Sequence, residues 1–357
     1  SRAPGEREHY TTMSRRRISK PADEPLRVAL VCDADGAQPV LEALSGVPVN
    51  VVAQSGRRPV ADLPGAQWYD DARIMLAQSG AEALLLATST RQAVELAELA
   101  ADHKLAVWRP PPLARTFAEA TELVTKCRQR NLVYRVASWW DAIKDAMQAA
   151  LTFGDGVKPA FSHVRVSAAG PSVQSWRASA TDAAGGVLAS DAYDMLEAFL
   201  AVRGLPQRAS AIVANVRRRT GELPRETEDV ATAVLRYEGG RTAAIQATWD
   251  VPPYFETSEH HGAELTVVLE RQRVAVRSRD GKILFERELA PDRFWRDELT
   301  AFAAAVRAPE PPAEQDAALE RHIAVTALLQ AVYLSNRTGQ PEAPLKFYEA
   351  QGWPEPR

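Results

Sequence analysis

Ser190, Asp191 and Asp194 crowd into the run Gly185-Gly186-Val187-Leu188-Ala189-Ser190-Asp191-Ala192-Tyr193-Asp194-Met195-Leu196, a glycine pair leading into a helix start. Carboxylates in the first turn of a helix face the positive end of its dipole, which is a structural reason for them to be there. The chemical alternative is that a carboxylate beside a bound hydroxyl compound acts as a base, provided burial lifts its pKa toward neutrality. Arg109, at the end of Leu105-Ala106-Val107-Trp108, offers a permanent positive charge that can hold an oxygen but is a poor proton donor. Trp108, Trp139, Trp140 and Trp176, with Arg109 and Arg177, are expected either to line an aromatic cleft for a sugar face or an acidic ligand, or to pack in a domain interface.

A second group of candidates concerns a nucleotide. Leu26 to Cys32 reads as a buried parallel strand, followed by Asp33-Ala34-Asp35-Gly36-Ala37. A dinucleotide turn needs glycines so that the backbone can approach the pyrophosphate, and this loop has Gly36 alone. Asp33 and Asp35 put negative charge where the phosphates would lie, at a cost on the order of 1 kcal/mol each. The next strand ends in Gln54-Ser55-Gly56-Arg57-Arg58, without the acid that bonds the ribose hydroxyls of NAD. Arg57 and Arg58 suit a 2′-phosphate, so a bound cofactor is expected to be NADP; the alternative is a solvated basic loop that binds no dinucleotide.

Other chemistries find no support. Cys32 and Cys127 are too few for a disulfide framework and lack zinc-ligand spacing. His260-His261 reads as a solvated loop pair, and His163 and His322 as structural. No Ser/His/Asp or Cys/His set has a supporting context. A net charge of −3 argues against a nucleic-acid surface, and the apolar runs are too short for a membrane span. With no apolar segment behind Arg15-Arg16-Arg17 to make a secretory signal, the expectation is a cytoplasmic protein whose residues 1–24 form a flexible tail.

The elements that must position these residues fall into two sets. In the first, strands at 26–32, 47–53, 83–88 and 105–108 alternate with helices at about 39–45 and 91–102, which implies a doubly wound parallel sheet. In the second, a helix at about 140–152 leads into strand-like runs at 161–168, 209–216, 230–237, 242–249, 265–269, 273–277 and 283–286, read as an antiparallel meander. Helices at 294–306 and 317–337 follow. One face of the meander is expected to be free and to carry Ala243, Ile245 and Ala247, forming a homodimer or higher homo-oligomer.

The chain resembles the Gfo/Idh/MocA oxidoreductases, the family of glucose-fructose oxidoreductase and inositol dehydrogenase. Gly185 to Leu196 is similar to its substrate-domain signature, roughly G-G-G-x-L-x-D-x-G-x-H. Lys104 to Pro110 is similar to its H-V-x-x-E-K-P, and Ala83 to Ala97, which includes Thr88, to its strand-loop-helix beside the nicotinamide. Glu228 to Gly240 and Tyr333 to Gly339 resemble its core hairpin and closing helix. The resemblance covers most of 26–345 and implies an α/β chain: a Rossmann-like domain at 25–137, then an α+β substrate and dimerisation domain with a large open antiparallel sheet at 138–345, and a tail at 346–357. Arg109 stands for the family's lysine, Trp108 for its glutamate, Ser190 for its aspartate and Asp194 for its catalytic histidine. Asp33, Gly36, Ser55, Arg57, Arg58 and Thr88 take the cofactor positions, and Trp108, Trp139, Trp176 and Arg177 the substrate positions. Two functions follow: an NADP-preferring oxidoreductase acting on a sugar, cyclitol or related hydroxyl compound through Arg109, Asp194 and Ser190, or a pseudoenzyme that keeps the cleft to bind a sugar-like ligand or a protein partner.

Overall fold

Strand β4 (Ala83–Ala87) is buried at every residue, as a strand covered on both faces must be. It lies beside β1 (Leu26–Cys32) at the centre of a six-stranded sheet completed by β2 (Val49–Ser55), β3 (Gln67–Tyr69), β5 (Ala106–Arg109) and β6 (Tyr134–Val136). The order is β3-β2-β1-β4-β5-β6, and every pairing is parallel. Helices α1 (Ala34–Ala43), α2 (Ala72–Gln78), α3 (Thr90–Asp102) and α4 (Phe117–Gln129) make the crossovers of a doubly wound Rossmann-like sheet. This is a computed structural model, describing residues 24–56, 63–153, 156–216, 225–308 and 313–356; the tail expected at 1–24 lies, but for Glu24, outside them.

Helix α5 (Trp139–Thr152), capped by Ser138, leads to an eight-stranded sheet. Its strands are β7 (Phe161–Ala168), β8 (Arg208–Ala214), β9 (Val230–Arg236), β10 (Thr242–Trp249), β11 (Phe255–His261), β12 (Leu265–Glu270), β13 (Arg273–Ser278) and β14 (Ile283–Glu288). The order β14-β13-β12-β11-β7-β10-β9-β8 is antiparallel except where β7 meets β10 in parallel, so it is not a plain meander. One face is covered by α5, α6 (Tyr193–Arg203) and α8 (Ala313–Thr338), with α7 (Phe294–Arg307) packed nearby.

Three expectations need correction. Ala243, Ile245 and Ala247 belong to the covered face, where they are almost wholly buried. The apolar residues left to solvent on β8 and β9 are instead Ile212, 75% exposed, and Val234, 54% exposed. His260 and His261 sit on β11 rather than in a loop. His260 is buried because a neutral imidazole has both nitrogens satisfied, by Ser162 at 3.1 Å and Ser258 at 3.3 Å, with Phe199 stacked on the ring. The 346–357 stretch opens as helix α9 (Leu345–Gln351), whose buried Tyr348 packs on Phe117, so it is docked rather than a tail. Among the described residues no helix is long and apolar enough to cross a membrane.

Four titratable groups, three in the core and Glu256 at its edge, behave in opposed ways. Burial pushes His260 and His322 down to about 3, and pushes Glu197 and Glu256 up to about 7. The unfolded chain protonates the histidines below 6.5 while the native chain does not, so they destabilise the fold as pH falls. The glutamates work the other way: the native chain takes up their protons below 7 and the unfolded chain only near 4.5. The two pairs therefore offset each other from pH 6.5 to 4.5, and below that the histidines act alone, costing roughly 2.7 kcal/mol per pH unit. Urea unfolding across pH is expected to show a shallow stretch and then a steep acid limb. Glu197→Gln with Glu256→Gln should move the start of that limb up toward 6.5; an unmoved limb would contradict the assignment.

Candidate functional site

The carboxyl ends of β1, β2 and β4 open on a cavity of about 1600 Å³, where doubly wound sheets hold their ligands. Its geometry starts at the β1–α1 junction, which is one residue long. Asp33 follows Cys32, and α1 begins at Ala34. The Asp33 carboxylate accepts from the Asp35 amide at 3.2 Å, and its backbone oxygen from the Ala37 amide at 3.0 Å. The Thr88 hydroxyl, at the end of β4, lies 3.1 Å from Asp33 Oδ2 and 2.5 Å from the Gln92 side-chain oxygen. A carboxylate therefore occupies the N-terminal field of α1 that a phosphate would use.

The rest of the lining adds to that charge. Asp35, Asp70, Asp71, Glu95 and Asp182 join Asp33, against Arg73 and Arg91. Arg91 is held by Asp182 at 2.8 Å and Glu95 at 3.2 Å. Ser55, only 4% exposed, borders the cavity. The second domain closes the opposite wall with Ser172 to Trp176, Ser179 and Asp182. The Trp176 indole nitrogen is buried without a hydrogen-bond partner among the described residues. Contacts across the domains hold this wall in place: Arg91 N donates to Asp182 O at 3.1 Å, and Arg115 to Thr181 O at 2.9 Å.

Of the residues read from sequence, Asp33, Ser55, Thr88 and Trp176 meet in this cavity, and Gly36 lies in the first turn of α1. Arg57 and Arg58 fall outside the described residues. Arg177 follows Trp176 but serves a separate charged cluster. It pairs with Asp191, which also accepts from Trp249 Nε1 at 2.7 Å and from Ser190 at 3.0 Å. Ser190 lies in addition 2.7 Å from Gly186 O. Asp194 accepts from Arg271 at 2.7 Å; the same guanidinium lies 3.7 Å from Glu256 and 4.1 Å above the Trp139 ring. Arg271 is thus shared but lies nearer Asp194, and at Glu256 burial outweighs it and raises the carboxyl to about 7.

Trp108, Trp139 and Arg109 do not reach a cleft. Trp108 is fully buried, edge-on to Trp295 at 6.0 Å, and Trp139 packs against Phe294 at 5.3 Å, because both indoles fill the core between the domains. Arg109 is 2% exposed and spends its donors on Pro110 O at 3.2 Å and Leu113 O at 3.1 Å, tying down the loop after β5. The glycine pair has a packing origin. A Cβ on Gly186 would stand 1.9 Å from Glu228 O, and one on Gly185 2.0 Å from the Tyr333 hydroxyl. Glu228 in turn accepts from Gly186 N at 2.6 Å, Leu188 N at 3.1 Å and Tyr333 at 2.9 Å, fixing the approach to α6.

Sequence reasoning missed Arg271, Glu256, Trp249, Asp182 and the Asp70-Asp71 pair. Asp70-Asp71, directly before a helix, was a legible signal; the others come from strands and loops distant in sequence. Among the described residues no group of acids, histidines and cysteines could hold a metal ion. The described residues do not fit a dinucleotide pyrophosphate: the turn is a single aspartate, and the charge of the described lining repels phosphate.

Comparison with known proteins places these observations. The family model described as the GFO/IDH/MocA C-terminal domain matches residues 157–275. No curated protein matches the chain. Among solved structures, GenD2 from gentamicin A biosynthesis, in complex with NAD, superposes with a TM-score of 0.75 at 17% identity, covering 92% of this chain and 98% of that one. Levoglucosan dehydrogenase, in complex with NADH and levoglucosan, gives 0.73 at 16% identity, covering 90% and 99%. A mutant of KijD10, a 3-ketoreductase from Actinomadura kijaniata, in complex with TDP-benzene and NADP, gives 0.75 at 20% identity, covering 87% and 98%. Residues 157–275 therefore match the Gfo/Idh/MocA C-terminal domain model, and about nine-tenths of the chain shares the two-domain fold of GenD2 and levoglucosan dehydrogenase.

Proposed function

We propose that this chain uses the oxidoreductase scaffold to bind a polar, sugar-like small molecule in the cleft between its two domains, without taking NAD or NADP in the manner of its structural relatives. The observation that carries this reading is the β1–α1 junction, where the Asp33 carboxylate holds the helix N-terminus in place of a phosphate. The catalytic positions support it: Arg109 is committed to backbone carbonyls and Asp194 to Arg271. A second reading, an NADP-preferring oxidoreductase, is favoured by the size and place of the cavity and by relatives solved with NAD, NADH or NADP. In that reading Arg57 and Arg58 meet the 2′-phosphate, and Glu256 rather than Asp194 exchanges a proton near neutral pH.

Calorimetry with NAD and NADP separates the two. Kd values weaker than about 100 µM, about −5.5 kcal/mol, are expected for both. Micromolar NADP binding lost on Arg57→Ala with Arg58→Ala would establish the second reading.

Turnover is followed by NADPH absorbance over sugars, cyclitols and their keto forms, and none is expected. If turnover appears, Glu256→Gln should cut kcat by about a hundredfold or more while Asp194→Asn costs less, in line with the usual worth of a positioned acid–base group. Equal losses would remove Glu256 from that role.

The exposed face of the eight-stranded sheet is the proposed homo-oligomer contact. Light scattering at micromolar concentration is expected to give a dimer or larger, and Ile212→Asp with Val234→Asp to shift it toward monomer. A wild-type monomer would overturn the proposal.

A further inference from the structure

The face of the eight-stranded sheet that the helices leave uncovered has an ionisable centre. Strand register sets Val234, Ala244, His163 and Glu259 side by side across β9, β10, β7 and β11. His163 lies on β7, the fifth strand of the eight, directly opposite Glu259. Glu259 is 3.4 Å from Arg165 and 3.3 Å from His261, so one carboxylate serves a guanidinium and an imidazole. Phe161 completes the group: its ring stacks on His261 at 5.7 Å and lies 6.1 Å from His163. The His163 Nε2 atom is buried without a hydrogen-bond partner among the described residues.

The charge of this group depends on its histidines. With both imidazoles neutral, Arg165 and Glu259 cancel; with both protonated, the group carries two positive charges. The neighbouring strands do not answer that charge. Next to His163, β10 places Ala244 and Gln246, which are uncharged. Glu270 on β12 is held by Arg273 at 2.6 Å, and Arg236 and Arg208, directly opposite each other on β9 and β8, add only positive charge. In the neutral state the patch complements a copy of itself, as a two-fold contact requires. An axis through its centre sets the Arg165 of each copy against the Glu259 of the other, with the exposed Phe161, Phe255, Ile212 and Val234 around them.

We propose that this face takes a second copy of the chain only while His163 and His261 are neutral, so that acid separates the copies. The proposal rests on the homo-oligomer reading above and adds its control by pH. Burial, helped by the Arg165 charge, holds His163 below the ordinary imidazole value. A second copy removes the remaining solvent and brings a further Arg165, which lowers it again. The associated form then binds fewer protons than the separate chains, so dissociation is favoured as pH falls through the histidine range.

The test is sedimentation of the full chain at about pH 8 and about pH 5.5, the span in which histidines gain their charge, with circular dichroism to confirm that the chain is folded at both. The Kd for self-association is expected to rise about tenfold or more in acid, since each net proton taken up on dissociation is worth a decade per pH unit. His163→Gln with His261→Gln should associate alike at both pH values. An independent reading comes from the ring-proton NMR of wild type, in which His163 should titrate lower in the associated protein than in the Ile212→Asp, Val234→Asp variant. A Kd that is equal at both pH values, or tighter in acid, would overturn the switch and leave the oligomer reading intact. A wild-type monomer at both would overturn that reading and the switch with it. Full pH dependence retained in the double histidine variant would overturn the assignment to these two residues.

Discussion

Asp33 is the single residue between β1 and α1, and its carboxylate takes the Asp35 amide while Thr88 reaches it from the end of β4. A longer, glycine-bearing turn would leave the amides of α1 open to a ligand phosphate. With the turn reduced to one acid, those amides serve the chain itself and the carboxyl edge of the sheet turns negative. The cavity lies where doubly wound sheets hold their ligands, and the acids from β3–α2 and α3 extend the negative field of its described lining instead of cancelling it.

The start of α6 is set by close packing and by ion pairs. Glu228, Gly186 and Tyr333 still bring the glycine pair against β9 and aim α6 at the first domain. At the helix start, however, Asp191 and Asp194 are each held by an arginine, Arg177 and Arg271. Glu256, 3.7 Å from Arg271 and raised toward 7 by burial, is the carboxylate in this cluster with freedom to exchange a proton.

Much of the fold was legible because its signals are local. The apolar runs at Leu26–Cys32 and Ala83–Ala87 could only be buried strands, and Tyr333 to Gly339 marked a helix end at a glycine that has φ 67°. The short β3 and β6 were invisible because three residues carry no period. The His260-His261 pair was read as loop because the burial of His260 depends on Ser162, contributed by a strand far away in sequence. The site was legible where it follows directly from a strand end, as at Asp33, Ser55 and Thr88, and at the aromatic Trp176. Arg109 and Trp108 occupy the expected positions on β5, but periodicity cannot say which way a strand-end side chain turns. Arg109 turns to Leu113 O, and Trp108 turns into the core.

The most direct test of this account is a crystal structure of the protein grown or soaked with millimolar NADP. The account predicts no pyrophosphate density at the N-terminus of α1, with the Asp33 carboxylate still on the Asp35 amide. Density for a pyrophosphate seated on that helix, with Asp33 displaced, would contradict it.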